Sequence, residues 1–394
     1  MSMRMPGLRF KADDGSEFPD WEERTSVELC SRMIGGGTPS TSNTDNYNGD
    51  ISWISSSDLD VDNITTVRRT RFITERAITT SATKKVKPGS IAVVLRVGVG
   101  KVALLDRETC TSQDFISLED VTGDTKFIAY MLSARMQREA VRTQGTSIKG
   151  IPATRFKELT YRMPSSIIEQ RKIADLLSTV DDVIAVQQAE VDAWEQRKKG
   201  VMQKLFSQEV RFKADDGSDF PDWERKKLGE ICEYGRQRGI GAHYVGTQNM
   251  FKDFRGIAIN DPEAEASGSL YFEGDTLMSN IRPYLKKAWK ANCNGVCSTD
   301  VLVFHPTNVE SDYLHCIIAS DSFVTYVMSA AKGSKMPRGD KAHIMHMPLI
   351  LPSLPEQRKI ADCLSSIDDI IIKARAELTK WQELKKGLLQ QMFV

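Results

Sequence analysis

The sequence predicts an α+β protein: two globular domains of similar fold, separated by two long antiparallel α-helices and related by an internal pseudo-twofold repeat. Two duplicated segments and one periodicity predict it. RFKADDGSEFPDWE at Arg9–Glu22 returns as RFKADDGSDFPDWE at Arg211–Glu224, with only Glu17/Asp219 changed. EQRKIADLLSTVDDVI at Glu169–Ile184 returns as EQRKIADCLSSIDDII at Glu356–Ile371. The segments between, Arg24–Met163 and Lys226–Leu351, share little. Constant frames around variable inserts mean one architecture used twice for two targets, and so long a period marks duplicated domains rather than a solenoid of small repeats. The expected divisions are a first domain at 1–165, a central helix at 166–207, a second domain at 208–352 and a C-terminal helix at 353–394.

The front repeat combines a polar Asp-Gly turn with an aromatic strand, and reads as a linker and domain start. The first insert opens with the surface loop GGGTPSTSN at Gly35–Asn43, followed by strand-like runs at Asp50–Ile54 and Ser90–Val97 and a helix-like run at Lys126–Val141. The second has strand candidates at Ser269–Phe272, Asp275–Ser279 and Val301–Phe304, then a helix-like stretch at Ser311–Met328. The shared order of turn, strands, helix and proline predicts one α+β fold for both. Pro88-Gly89-Ser90-Ile91 parallels Glu273-Gly274-Asp275-Thr276, and Cys110-Thr111-Ser112 parallels Cys297-Ser298-Thr299.

The back repeat carries the periodicity. Ile173, Leu177, Val180, Ile184, Val191 and Trp194 fall on a 4-3 spacing, as do Ile360, Leu364, Ile367, Ile371, Leu378 and Trp381. A 3.5-residue period sustained this long is a coiled-coil seam. Ser166-x-x-Glu169 and Ser353-x-x-Glu356 read as capping boxes, each preceded by a proline, Pro164 and Pro352. A helix of about 40 residues spans roughly 60 Å. Its apolar stripe needs a partner, and an antiparallel pairing of the two copies supplies one. Lys198 and Lys385 occupy equivalent seam positions, where their stems are expected to lie along the pair with ammonium groups in solvent, the alternative being a specific polar lock.

Composition sets limits. Of 394 residues, 40% are hydrophobic and 27% charged, as in ordinary soluble proteins. No apolar run reaches the ~18–20 residues of a membrane span, and MSMRMPGLRF lacks a signal-peptide core. The seven cysteines, odd in number and irregular in spacing, point to reduced thiols in a cytoplasm. They complete no Cys/His quartet for zinc. The 53 basic residues balance 53 acidic ones. Zero net charge leaves two alternatives: either DNA is not the target, or local basic clusters and partners supply the attraction.

Such clusters exist. Arg282, Lys286, Lys287 and Lys290 alternate with Tyr284 and Trp289, and Lys332, Lys335, Arg338 and Lys341 lie in AKGSKMPRGDKA. The matching first-insert loop, QGTSIKGIPATR, is flanked by Arg142 and carries Lys149 and Arg155. Glycine allows close approach of a phosphate backbone, and Arg/Lys supply charge-assisted hydrogen bonds. There is no phosphate-binding P-loop, dinucleotide fingerprint, HExxH or GxSxG, and the five histidines form no ligand pattern. No catalytic residue and no metal site is expected.

These residues resemble the specificity subunit of bacterial type I restriction-modification systems over nearly the whole chain. The marks are MPSSIIEQRKIADLLSTVDDVI and LPSLPEQRKIADCLSSIDDII, the tails WEQRKKGVMQKLF and WQELKKGLLQQMF, and GTPSTSN followed by NGDISWISSSDL. The resemblance implies two target-recognition domains, each reading half of a split asymmetric site in double-stranded DNA. It implies helices that space them and dock two methyltransferase subunits carrying S-adenosylmethionine. Restriction/translocase subunits that use ATP and Mg would complete the assembly, with no membrane involved and no cofactor on this chain. Expected DNA contacts are Arg96, Lys101, Arg142, Lys149 and Arg155 in the first domain. In the second they are Arg282, Tyr284, Lys286, Lys335 and Arg338, and Gln113, Gln248 and Asn249 are candidate base readers. A stand-alone DNA-binding regulator and a protein–protein scaffold are the alternatives, and the partner could equally be a fused methyltransferase-nuclease.

Overall fold

The computed structural model describes residues 7–143, 150–258 and 261–393. The chain forms two compact units, Met1–Ala189 with Arg375–Val394, and Glu190–Ala374. The two long helices, Ile167–Phe206 and Leu354–Met392, are each divided between them.

In the first unit, Trp21–Thr25 pairs antiparallel with Thr160–Pro164, Trp21 opposite Pro164. One four-stranded sheet runs in the order Cys30–Gly35, Phe115–Val121, Ile91–Val94, Val102–Leu104. A second runs Phe72–Ile73, Ile51–Ile54, Thr109–Thr111, Lys85–Val86. The helix Thr125–Thr143 buries Phe127, Tyr130 and Leu132 in a core that also takes Ile173, Leu177, Met392 and Phe393 from the ends of the long helices.

The second unit repeats the plan. Glu224–Lys227 pairs with Pro348–Leu351. A four-stranded sheet runs Cys232–Tyr234, Val301–Pro306, Thr276–Ser279, Ala288–Lys290, and a three-stranded one runs Arg238–Gly241, Ala266–Tyr271, Gly295–Cys297. Phe304, Tyr313, Leu314 and Phe323 share a core with Leu205, Ile360 and Leu364. The expected helix at Ser311–Met328 is two, Ser311–Ile318 and Asp321–Ser329. The break is a cap inside an apolar run: Ser320 Oγ accepts from the Phe323 N–H at 3.1 Å.

Hydrogen bonding fixes how the inserts correspond. Gly89 N–H donates to Leu105 O, and Gly274 N–H to Ala291 O, each at a positive-φ glycine, so that parallel holds. The cysteine parallel slips by one residue. Ser112 N–H donates to Ile54 O and Ser298 N–H to Val245 O, which places Thr111, not Cys110, at the position of Cys297. Strand pairing, not residue identity, sets this register.

The duplicated segments turn out to be two halves of one fastening. Glu169 is fully buried and accepts from Arg9 Nε (3.0 Å), Arg9 Nη2 (2.9 Å) and Trp21 Nε1 (3.1 Å). Glu356, also fully buried, accepts from Arg211 Nε (3.0 Å), Arg211 Nη2 (2.8 Å) and Trp223 Nε1 (3.0 Å). These hydrogen bonds, and the carboxylate beside it, raise the pKa of each guanidinium. The capping-box expectation is thereby corrected: each glutamate turns toward the front repeat's arginine and tryptophan. Its neighbour adds a brace. Gln170 Nε2 donates to Pro164 O while its Oε1 accepts from the Asp124 N–H, both at 2.8 Å. Gln357 does the same with Pro352 and Glu310. Lys172 and Lys359 bind Asp13 at 2.5 Å and Asp215 at 2.6 Å.

All twelve seam residues are covered. Ile173, Leu177, Val180, Val191, Ile360, Leu364, Ile371 and Leu378 are buried, and Ile184, Trp194, Ile367 and Trp381 half-buried. The seam lysines are not solvated stems. In the first unit Lys385, 8% exposed, pairs with Asp181 at 2.5 Å, donates to Asp62 O and lies over the Tyr130 ring. Tyr130 Oη donates to Asp181 at 2.6 Å; burial, then that carboxylate, pushes the phenol far above its ordinary value. In the second unit Lys198 pairs with Asp368 at 2.6 Å, the two being 22% and 40% exposed. The repeated Asp of the back segment supplies the acceptor in both, and burial separates the two pairs.

Two stability outcomes follow. Arg9→Ala or Arg211→Ala strands a buried carboxylate and is expected to cost about 3–5 kcal/mol, read as a lowered melting transition of the affected unit and faster amide exchange at its helix start. Lys385→Ala is expected to cost about 3–5 kcal/mol and Lys198→Ala about 0–1 kcal/mol. Equal denaturant midpoints for the two lysine variants would refute the burial argument.

Candidate nucleic-acid interface

In the first unit the strand Ile91–Val94 runs into a turn held open by positive-φ Gly98 and Gly100. Arg96 stands exposed there, with no ion partner among the described residues. The Ile151 N–H donates to Leu95 O at 2.6 Å and lays the following segment against this turn. Lys101 is committed internally, its ammonium donating to Ser56 O (2.8 Å) and Leu59 O (2.9 Å). Gln113 is exposed and accepts from Thr38 Oγ1 of the glycine-rich loop.

Arg142 and Arg155 converge. Both pair with Glu139, at 2.9 and 3.4 Å, and so does Arg135, at 3.4 Å. Glu139 is 1% exposed, while Arg142 and Arg155 are 65% and 61% exposed. Arg138 adds a fourth guanidinium, its pKa lowered by burial and then by Arg135 and Arg142. One buried carboxylate thus holds a cationic surface together. Lys149 lies outside the described residues.

In the second unit the equivalent turn follows Thr276–Ser279. Arg282 N–H donates to Pro337 O at 2.8 Å, and Lys332 and Arg338 exchange backbone bonds at 2.9 Å, closing the Lys332–Arg338 loop against Arg282. Arg282, Tyr284 and Lys335 are exposed and lack ion partners among the described residues; Arg338 pairs with Asp300 at 3.0 Å. Lys332 pairs with Asp340 at 2.8 Å and is the main reason that carboxyl is held down to about 2. Lys286 pairs with Asp321 at 2.6 Å, and that bond, more than the one from Lys199, holds the Asp321 carboxyl low. Gln248 is exposed. Asn249 is tied into its own turn, accepting from Gly246 N–H at 2.9 Å and donating to Ala258 O at 3.1 Å.

The structure therefore gathers Arg96, Arg142 and Arg155 around one region of the first unit, and Arg282, Tyr284, Lys335 and Arg338 around the corresponding region of the second. It holds Lys101, Lys286 and Asn249 in internal bonds. The sequence reading passed over Arg236 and Arg238, both exposed and without ion partners among the described residues. The signal was present: GRQRG at 235–239 is a basic pair between glycines, the same pattern that singled out AKGSKMPRGDKA.

Comparison with known proteins bears on both units. The sequence profile of the family described as "Type I restriction modification DNA specificity domain" matches twice, at residues 19–193 and 221–380. The MjaIX specificity subunit of Methanocaldococcus jannaschii is 22% identical over 97% of this chain and 95% of its own length. The EcoR124I/EcoR124II specificity subunit of Escherichia coli is 29% identical over 46% of each. Among solved structures, the S subunit from M. genitalium superposes with a TM-score of 0.58 at 17% identity, covering 99% of both chains. A chain from a structure of type I R-M complex assembly and conformational transition gives 0.56 at 15%, covering 95% and 97%. At these identities the structural likeness speaks for the fold.

Glu139→Gln removes the charge that gathers three arginines. It is expected to lower stability by about 1.5–3 kcal/mol at low salt. The gap should narrow as the screening length shortens toward about 3 Å near 1 M. Thermal melts of both proteins across a salt series measure this, and a salt-independent gap would reject the electrostatic role.

Proposed function

The chain belongs to the type I restriction modification DNA specificity family, and from that membership we propose that each unit reads one half of a bipartite, asymmetric site in double-stranded DNA. The chain is a type I specificity subunit, and its part is recognition rather than catalysis. The observation that carries the reading is the double match of the family profile, one per unit, over segments whose frames are nearly identical and whose inserts differ. Different inserts suit different half-sites. Identical frames suit identical docking, so we assign two methyltransferase subunits to the duplicated helices, with the helices as spacer between half-sites.

Joining two half-site readers raises affinity and specificity through effective concentration, without any new contact. Arg96 and Arg142 in the first unit, and Arg282 and Lys335 in the second, are the proposed backbone contacts. Gln113 and Gln248 are the exposed amides suited to base edges. S-adenosylmethionine belongs with the methyltransferase partner, and ATP with Mg belongs with the restriction/translocase partner. A cytoplasmic location fits the reaction, and no described helix is long and apolar enough to cross a membrane.

Methylation-sensitive sequencing of DNA from cells expressing the neighbouring methyltransferase, with and without this chain, tests the proposal. The expected outcome is methylated adenine at a split, asymmetric motif that requires this chain. A folded complex with active methyltransferase and no chain-dependent motif would reject it and favour a scaffold role.

A further inference from the structure

The two units differ in chemistry beyond one topologically matched strand pair. Met33 pairs with Leu118 in the first unit, and Tyr234 with Phe304 in the second. Counting on from those pairs, Gly35-Gly36-Gly37 of the first unit hold the positions of Arg236-Gln237-Arg238 in the second, but the bonding parts there: Gly37 N–H donates to Thr111 O, whereas Arg238 pairs with Ser269. Of these glycines, Gly36 and Gly37 have no room for a side chain, while Gly35 faces open space. A Cβ on Gly36 would lie 2.0 Å from Ser112 O, and one on Gly37 2.4 Å from the backbone carbon of Ala82. In the second unit Arg238 lines an open cleft of about 250 Å³, with Tyr234, Ser269, Thr299, Val301 and Lys341 among its other walls.

That lining offers two cationic side chains and three hydroxyls, of which Tyr234's donates to Lys341 O, and no carboxylate. Arg238 and Lys341 are exposed and lack ion partners among the described residues, whereas Lys286, Lys290 and Arg338 are each paired with an aspartate. Arg238 sits on a strand, opposite Ser269 in a regular antiparallel ladder, so its position is set by backbone bonding rather than by a loop. A cleft with forked donors and no acceptor charge selects a ligand edge made of acceptors. On duplex DNA the guanine major-groove edge, with O6 and N7 side by side, is that edge, and arginine engages it bidentately. Arg236, two residues earlier, is exposed but outside the cleft lining, as a phosphate contact would be.

Resting on the DNA-reading role above, we propose that Arg238 reads a guanine in the half-site taken by the second unit, and that Arg236 contacts a neighbouring phosphate. The first unit has glycine at the counted positions and so no guanidinium there, which confines the effect to one half-site.

The test uses the full chain complexed with its methyltransferase and compares Arg238→Ala, Arg238→Lys and Arg236→Ala with wild type. The readouts are the methylated motif, binding to a library of single-base site variants, and the salt dependence of binding. Arg238→Ala and Arg238→Lys are expected to relax one G·C position in one half-site, lowering discrimination there about tenfold or more. The other half-site should be untouched. Arg238→Lys keeps the charge and the salt slope, so it separates lost readout from lost charge. Arg236→Ala is expected to weaken binding to all sequences alike and to reduce the salt slope by about 1. An unchanged motif in a folded Arg238→Lys complex would overturn the proposal, as would a uniform loss for Arg238→Ala with a shallower slope. A wild-type complex that methylates no split motif would instead overturn the underlying DNA reading.

Discussion

The buried Glu169–Arg9–Trp21 cluster, with its copy Glu356–Arg211–Trp223, is the constraint on which each unit depends. A fully buried carboxylate is tolerable only when its lone pairs are filled, and here a bidentate guanidinium and an indole N–H fill them. The cluster ties the segment before each domain to the first turn of the long helix after it. The adjacent glutamine ties the same turn to the domain's own helix start. The variable insert is thus clamped at entry and exit by residues that do not vary between the copies. This accounts for the identity of the frames: their side chains bond one another, and a change in one would strand its partner. It also leaves the inserts room to diverge, since the clamp uses frame side chains and takes from the insert only a backbone N–H, at Asp124 and at Glu310.

The second duplicated device behaves differently in its two copies. Lys385–Asp181 and Lys198–Asp368 are equivalent pairs, yet the first is buried among Tyr130 and the Asp62 carbonyl and the second is partly open. The surroundings come from the inserts. Where the first insert offers a phenol that donates to the aspartate, the second brings Cys316 near the pair. A constant ion pair therefore takes on a strength set by variable neighbours, because desolvation rather than distance decides what such a pair contributes.

The long helices were legible in the sequence because a 3.5-residue period over some 40 positions has no competing explanation. The strands flanking Gly89 and Gly274 were legible because a positive-φ glycine turn marks where a strand begins. The clamp was not. Arg9 and Glu169 lie far apart in the chain, and no local periodicity links them; the Ser-x-x-Glu pattern offered a nearer partner that geometry did not take. The clue lay in the duplication itself, since two separate segments that both stay constant are candidates to touch. The break at Ser320 was hidden because a serine within an apolar helical run reads as tolerated, and only the turn of Phe323 N–H onto its hydroxyl reveals a cap. In the candidate site, exposed cations were legible as residue types. Which of them are spent internally, as Lys101 and Lys286 are, depends on carbonyls and carboxylates contributed from elsewhere in the fold.

The neutral charge of the chain follows from the same accounting. Glu139 offsets part of the Arg135–Arg138–Arg142–Arg155 group, and Asp300, Asp321 and Asp340 each occupy a cation of the second unit. Among the described residues, the exposed cations without an ion partner include Arg96 in the first unit, and Arg236, Arg238, Arg282, Lys335 and Lys341 in the second. Phosphate attraction scales with the number of charges that displace counterions. Carboxylates that occupy part of the cationic surface lower such sequence-independent attraction, and a weaker background favours discrimination, because fewer non-specific contacts mask the loss of a specific one. The chain thus presents its exposed cations on a frame whose own buried charges neutralise one another, as Arg9 and Glu169 do and Arg211 and Glu356 do again.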